Sequence, residues 1–183
     1  MKKNKAIIIF LIKFFATYFI LFGIYSFYLN RTQKKTDPFS CSPITQRVAR
    51  DSETFSRFLG LNARVEQNEE ELSMKFILDG QHVVNIVEGC SSVSIIILFL
   101  AFIIAFKGGF RDTVLFGIAG IVFIYLTNLL RIILLTVLYK EYPEYGYFLH
   151  ELFFPAIIYG MVFLLWIIWV KYFSHYNKLK INE

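Results

Sequence analysis

Three side chains able to break and remake an acyl bond stand near the ends of three separate apolar runs: Cys90, Arg131 and His150. The thiolate is the nucleophilic form of cysteine, and a place at the start of a helix beside a guanidinium favours it. An imidazole, which titrates near neutral pH, can take a proton from a thiol and return one to a leaving amine. Arginine keeps its charge and is no base, but its fork of donors can hold the oxyanion of a tetrahedral intermediate. Asn128 precedes Arg131 by one helical turn and shares its face, where it can orient Arg131 or donate to a substrate. Together these types describe acyl transfer by a cysteine nucleophile.

The elements that must position them lie in a bilayer. The chain has 183 residues, 56% of them apolar, with 21 Phe and 11 Tyr, and its mean hydropathy is +0.54. That composition excludes a disordered chain, a collagen and a disulfide-rich secreted domain. The apolar stretches are continuous and do not alternate, which excludes a β-barrel. Four runs are expected to cross a hydrocarbon core of about 30 Å: Ala6 to Tyr28, Cys90 to Phe106, Thr113 to Tyr139 and His150 to Tyr172. The first is too long for a signal-peptide core, and no small-residue cleavage site follows it, so it reads as an uncleaved anchor. The fold class expected is thus an α-helical multi-pass membrane protein with a small α+β extracytoplasmic insert.

Lys2, Lys3 and Lys5 precede the first run, Lys107 and Arg111 fill the turn between the second and third, and Lys171, Lys178 and Lys180 follow the fourth. Four spans put all three groups on the cytoplasmic side, against the weaker opposing signal of Arg31, Lys34 and Lys35. At 1.5 Å per residue, Cys90, Arg131 and His150 then lie about 24, 27 and 32 Å above the inner ends of their runs, all near the outer boundary of the core. The expected division is an anchor at 1–29, an outer cap at 30–89, a three-helix catalytic core at 90–173 and a cytoplasmic tail at 174–183.

In the cap, Asp37-Pro38 marks a turn, and Pro43 to Leu61 carries Val48, Phe55, Phe58 and Leu59 at helical spacing. Ala63 to Gln67, Leu72 to Leu78 and His82 to Val87 read as strands, the last two joined through Asp79-Gly80 as a hairpin turn. Acidic and basic residues nearly balance here, so no nucleic-acid surface is expected.

Each candidate residue also has a plainer reading. Cys90 can be an inert buried thiol, or can pair with Cys41 on the same outer side. Arg131 can snorkel to lipid phosphates, and His150 can be an interfacial histidine among Tyr142, Tyr145, Tyr147 and Phe148. His82, His150 and His175 fall in three different regions with no ligand spacing, so no metal is expected. No Gly-rich phosphate loop occurs, Gly108-Gly109 reads as a turn, and no cofactor is expected.

The segment Val87-Glu88-Gly89-Cys90-Ser91-Ser92, the stretch Asn128-Leu129-Leu130-Arg131 and the single His150 together resemble the exosortase/archaeosortase family of multi-span membrane enzymes. The family pattern is a Cys at the outer start of one span, Asn-x-x-Arg near the outer end of the next and a His at the start of the one after. Order and spacing agree over residues 83–170, and the short chain with Val-Glu-Gly-Cys looks most like the compact branch found in flavobacteria. The resemblance implies a cysteine-type peptidase and transpeptidase in the inner membrane of a bacterial cell, its site facing the extracytoplasmic side. Cys90 would attack a peptide carbonyl in the C-terminal transmembrane sorting signal of a secreted protein and form a thioester. His150 would carry the proton, Arg131 would stabilise the oxyanion or thiolate, and an acceptor would release the product. The family's common Cys-Ser-Gly is Cys90-Ser91-Ser92 here, and larger members have more spans. Two other classes stand beside this one: a non-catalytic membrane scaffold or assembly subunit, and a membrane acyltransferase acting on a non-peptide donor.

Overall fold

The computed structural model describes residues 2–36, 38–106 and 108–173. Asp37, Lys107 and the expected tail at 174–183, with His175, Lys178 and Lys180, lie outside the described residues. In chain order the elements are helix α1 (Lys2–Thr32), helix α2 (Pro43–Phe58), strands β1 (Ala63–Gln67), β2 (Ser73–Leu78) and β3 (Gln81–Val87), a 3-10 turn (Glu88–Ser91), and helices α3 (Val93–Ala105) and α4 (Phe110–Glu141). A composite last helix, α5 (Pro143–Phe173), follows. It holds a π-helical segment at Leu149–Phe153 and ordinary α-helix at Phe154–Ile168.

Among the described residues three helices are long and apolar enough to cross a membrane: Ile7–Thr32 within α1, then α4 and α5. The run expected as the second span forms the shorter α3, of 13 residues. It does not begin at Cys90, because Ser92 adopts a left-handed conformation (φ 59°) that interrupts the helix ahead of Val93. The last helix begins earlier than expected. Pro43 and Pro143 both sit where the missing N–H of proline costs nothing, in the first turn of a helix. Most of the expected outer turn at 140–149 is therefore helical.

The chain divides into two compact units. One comprises Met1–Ser26, Val93–Ile124 and Tyr159–Glu183, and its core is Phe99, Ile103, Ile124, Val162 and Trp169. Phe102 stacks on Trp166 with ring centroids 4.4 Å apart, and Gly120 lies so close to the Phe99 ring that a Cβ there would collide with it.

The other unit comprises Phe27–Ser92 and Tyr125–Ile158. Its sheet is antiparallel in the order β1-β2-β3. Asp79 (φ 51°) and Gly80 (φ 80°) supply the two positive φ angles of a tight hairpin turn, as the Asp-Gly pair predicts. Thr45, Val48, Ala49, Ser52 and Ser56 form the buried side of α2. The expected apolar set differs, since Phe58 is 82% exposed and Leu59 is exposed. Small side chains suit the close approach of the sheet, and α2 stops at Phe58 because Gly60 (φ 84°) turns the chain out of the helix.

Gly120→Ala should destabilise the protein by about 1–3 kcal/mol through overpacking against Phe99. Gly160, around which a Cβ would meet nothing, is the control: Gly160→Ala should be neutral or stabilising. Thermal unfolding in detergent distinguishes them, and equal midpoints for the two variants would contradict the close approach.

Candidate active site

All four residues singled out from the sequence, Cys90, Asn128, Arg131 and His150, fall in the unit built from 27–92 and 125–158. The sheet delivers Cys90. β3 runs directly into the 3-10 turn, and Cys90 is its third residue, 9% exposed. Glu88, at the start of that turn, accepts hydrogen bonds from the Ser42 N–H (3.1 Å) and the Ser42 hydroxyl (3.2 Å). A carboxylate at the N-terminus of α2 suits both the unpaired N–H groups there and the helix dipole. The turn is thereby anchored to α2.

Helix α4 anchors it from the other side. The Asn128 side chain, 1% exposed, donates from Nδ2 to the Cys90 carbonyl at 2.7 Å. Two further ties hold α4 to the same unit: the Tyr125 hydroxyl donates to Asp51 at 2.6 Å, and Lys140 pairs with Asp79. Asn128 Oδ1 is buried with no partner among the described residues.

Cys90 and His150 line one cavity of about 270 Å³. Its other walls are Val83, Val84, Asn85 and Ile86 of β3 with Ile132, Leu135 and Tyr139 of α4. His150 lies in the π-helical segment of α5, and its Nδ1 is 3.0 Å from Glu151 Oε1. A π-helical insertion shifts the facing of side chains along a helix, and such segments recur at functional sites. With Nδ1 protonated and donating to Glu151, Nε2 is left as the acceptor. Gly146, one turn before His150, lies 2.5 Å by its would-be Cβ from the Tyr139 ring, so only glycine lets α5 come this close to the cavity wall.

Arg131 is half-buried and is not among the residues lining this cavity. At about 100° per residue it sits roughly 60° round α4 from Asn128, on the flank of the stripe that carries Ile132, Leu135 and Tyr139. Among the described residues no hydrogen bond or ion pair engages it.

Both cysteines are free. Cys41 is 1% exposed, with Gln67 Nε2 3.8 Å from its sulfur. Burial pushes the Cys41 thiol above its ordinary range; the Gln67 hydrogen bond opposes that shift, and the charge of Glu88 adds to it. Three features escaped the sequence reading: the capping role of Glu88, the Glu151 partner of His150 and the left-handed Ser92. For Ser92 the departure from Cys-Ser-Gly was the available signal. The Ser92 hydroxyl donates to the Ser91 carbonyl at 2.6 Å, a local bond of the kind that lets a short polar residue adopt this backbone.

A membrane protein with a thiol and an imidazole on one cavity is the class that these features define. The transmembrane exosortase family model matches residues 6–172, and the chain belongs to that family. It is similar to a probable archaeosortase E of Methanocaldococcus jannaschii, with 27% identity over 176 residues, 96% of this chain and 84% of the relative. No solved structure matches the chain.

Two expectations follow. At Ser92 (φ 59°) glycine should be tolerated, within about 1 kcal/mol of wild type, whereas Ser92→Val should cost about 2 kcal/mol or more, because a β-branched residue is an outlier at positive φ. Comparing unfolding midpoints decides this; a neutral Ser92→Val would overturn the backbone assignment.

The second concerns Cys41. Its folded-state pKa is raised, so the folded protein holds that proton more tightly than the unfolded chain. The resulting stability is present below the unfolded thiol value of about 8.5 and is lost as pH rises above it. Iodoacetamide at pH 8 should therefore modify Cys90 well before Cys41, and Cys41→Ala should flatten the decline in stability above pH 8.5. Equal labelling of the two cysteines, read by mass spectrometry, would contradict this.

Proposed function

We propose that this exosortase-family chain is a cysteine transpeptidase that cleaves the C-terminal sorting signal of secreted proteins at the outer face of a bacterial inner membrane. The observation that carries the reading is the shared cavity of Cys90 and His150. The Cys90 sulfur attacks the scissile carbonyl carbon while His150 Nε2 takes the thiol proton. Arg131 reaches in from its flank to face the oxyanion. The C–N bond then breaks, His150 returns the proton to the departing amine, and a thioester on Cys90 remains. An acceptor nucleophile, deprotonated by His150, attacks that thioester and releases the product, and the proton returns to the thiolate. Glu151 acts as a positioning residue that keeps the imidazole in the tautomer this sequence needs.

In this reading the chain has four crossings, with an anchor at 1–29, a cap at 30–89, a core at 90–173 and a tail at 174–183. α3 is a continuous apolar helix that rises about 20 Å, which supports a second, short crossing. The positive-inside distribution supports an outward-facing site.

Cleavage of a co-expressed secreted protein from the same genome, bearing a C-terminal apolar span and basic tail, tests the proposal. Cys90→Ala and His150→Ala should abolish it in folded protein. Arg131→Lys should lose about 100-fold or more, because an ammonium lacks the planar fork. A membrane-impermeant maleimide should reach Cys90 from the outer side only. Full processing by Cys90→Ala would leave the scaffold reading in its place.

A further inference from the structure

We infer that the free edge of β3 is the substrate-binding strand of this site: an extended peptide pairs with it through backbone hydrogen bonds and is led along it to Cys90. The inference rests on the transpeptidase reading and names how its substrate is held.

β3 is the last strand of the sheet, so among the described residues its far edge has no partner strand. Every second residue along such an edge turns its N–H and C=O outward, ready to pair with another chain. Four successive β3 residues, Val83, Val84, Asn85 and Ile86, line the cavity. Side chains on a strand alternate between faces, so a cavity lying on one face would meet every second residue. A bulge opposite Phe76 and Ile77 disturbs the alternation around Val83, but beyond it Asn85 is exposed and Ile86 is buried in the core. A cavity that touches both runs beside the strand.

The position along the chain points the same way. Val87 ends β3, and Cys90 follows three residues later on the turn held by Glu88 and Asn128. A peptide paired with the edge is therefore carried toward the sulfur, with the apolar wall of Ile132 and Leu135 available to its side chains. Natural sheets commonly guard a free edge with Lys, Pro or a covering element. β3 reads Gln-His-Val-Val-Asn-Ile-Val and contains neither Lys nor Pro. Its bulge is a feature that recurs beside active sites. An acyl chain would fill the apolar wall equally well but has no use for the backbone groups of an edge, which makes an extended peptide the better fit.

The full-length protein in nanodiscs can be tested with pools of tetrapeptide chloromethyl ketones with randomised side chains, either unmodified or N-methylated at the second or the third residue. Modification of Cys90 is read by mass spectrometry. The unmodified pool should react faster than chloroacetone, and N-methylation at one of the two positions should slow it at least tenfold while the other has little effect, the alternation expected of strand pairing. Peptide attachment should also slow amide exchange over 81–87, whereas iodoacetamide should not. Equal rates for the two methylated pools, or no protection of β3, would overturn the inference while leaving Cys90 as nucleophile. Protection of β3 by lipid alone, with no sensitivity to N-methylation, would assign the cavity to an acyl chain and also overturn it. If iodoacetamide and every pool fail to modify Cys90, the transpeptidase reading falls, and this inference with it.

Discussion

One buried hydrogen bond, from the Asn128 amide to the Cys90 carbonyl, fixes the geometry on which the candidate site depends. A 3-10 turn leaves backbone carbonyls unsatisfied, and in a buried setting each orphan costs about 1–3 kcal/mol. The Asn128 side chain meets that need and ties the turn to α4 at a single atom. Because Ile132, Leu135 and Tyr139 continue the same side of α4, fixing Asn128 against Cys90 also sets the wall of the cavity beside the sulfur. Glu88 completes the arrangement from the side of α2. The thiol thus stands on a short turn tied to α2 through Glu88 and to α4 through Asn128.

The long helices were legible because continuous hydrophobicity is a strong signal at any register. α1 and α4 extend only a few residues beyond the expected Ala6 to Tyr28 and Thr113 to Tyr139. The hairpin was legible because Asp79-Gly80 names its own turn, and β1 occupies the expected residues. The comparison of depths put Cys90, Arg131 and His150 at one level; Cys90 and His150 line one cavity, and Arg131 is not among its lining residues. Two boundaries were missed, for different reasons. The polar, aromatic stretch around His150 looked like a loop, yet Pro143 is a helix-starting signal that local hydropathy overrides. The break before α3 comes from one backbone angle at Ser92, which hydropathy does not encode.

The partners that were missed share a cause. Glu88 and Ser42 are 46 residues apart, and their meeting depends on how the sheet lies against α2. In α2 the apolar spacing was present, but the buried face consists of Thr45, Val48, Ala49 and two serines, because the distance to the sheet selects for size ahead of hydrophobicity. Glu151 is adjacent to His150 in sequence. Neighbours in a regular helix point about 100° apart, so their pairing was not expected from spacing alone. In the observed π-helical segment the pair is made.

Two polar groups on α4 have no partner among the described residues, Asn128 Oδ1 and the Arg131 guanidinium. They stand one helical turn apart on α4. Had stability alone shaped this face, the economical solution would be an apolar pair, since an unmatched buried acceptor and a half-buried cation both weigh against folding. Pairing Arg131 with an acidic residue would relieve the cation, but under the proposed mechanism it would also occupy the donors meant for an oxyanion. In the proposed mechanism an unengaged Arg131 keeps its donors available for negative charge that develops on a substrate. The cost of carrying these groups is met by the apolar core that Leu129 and Ile132 build between them with the sheet. Cys90 belongs to that same core, so the packing that offsets these groups also holds the thiol.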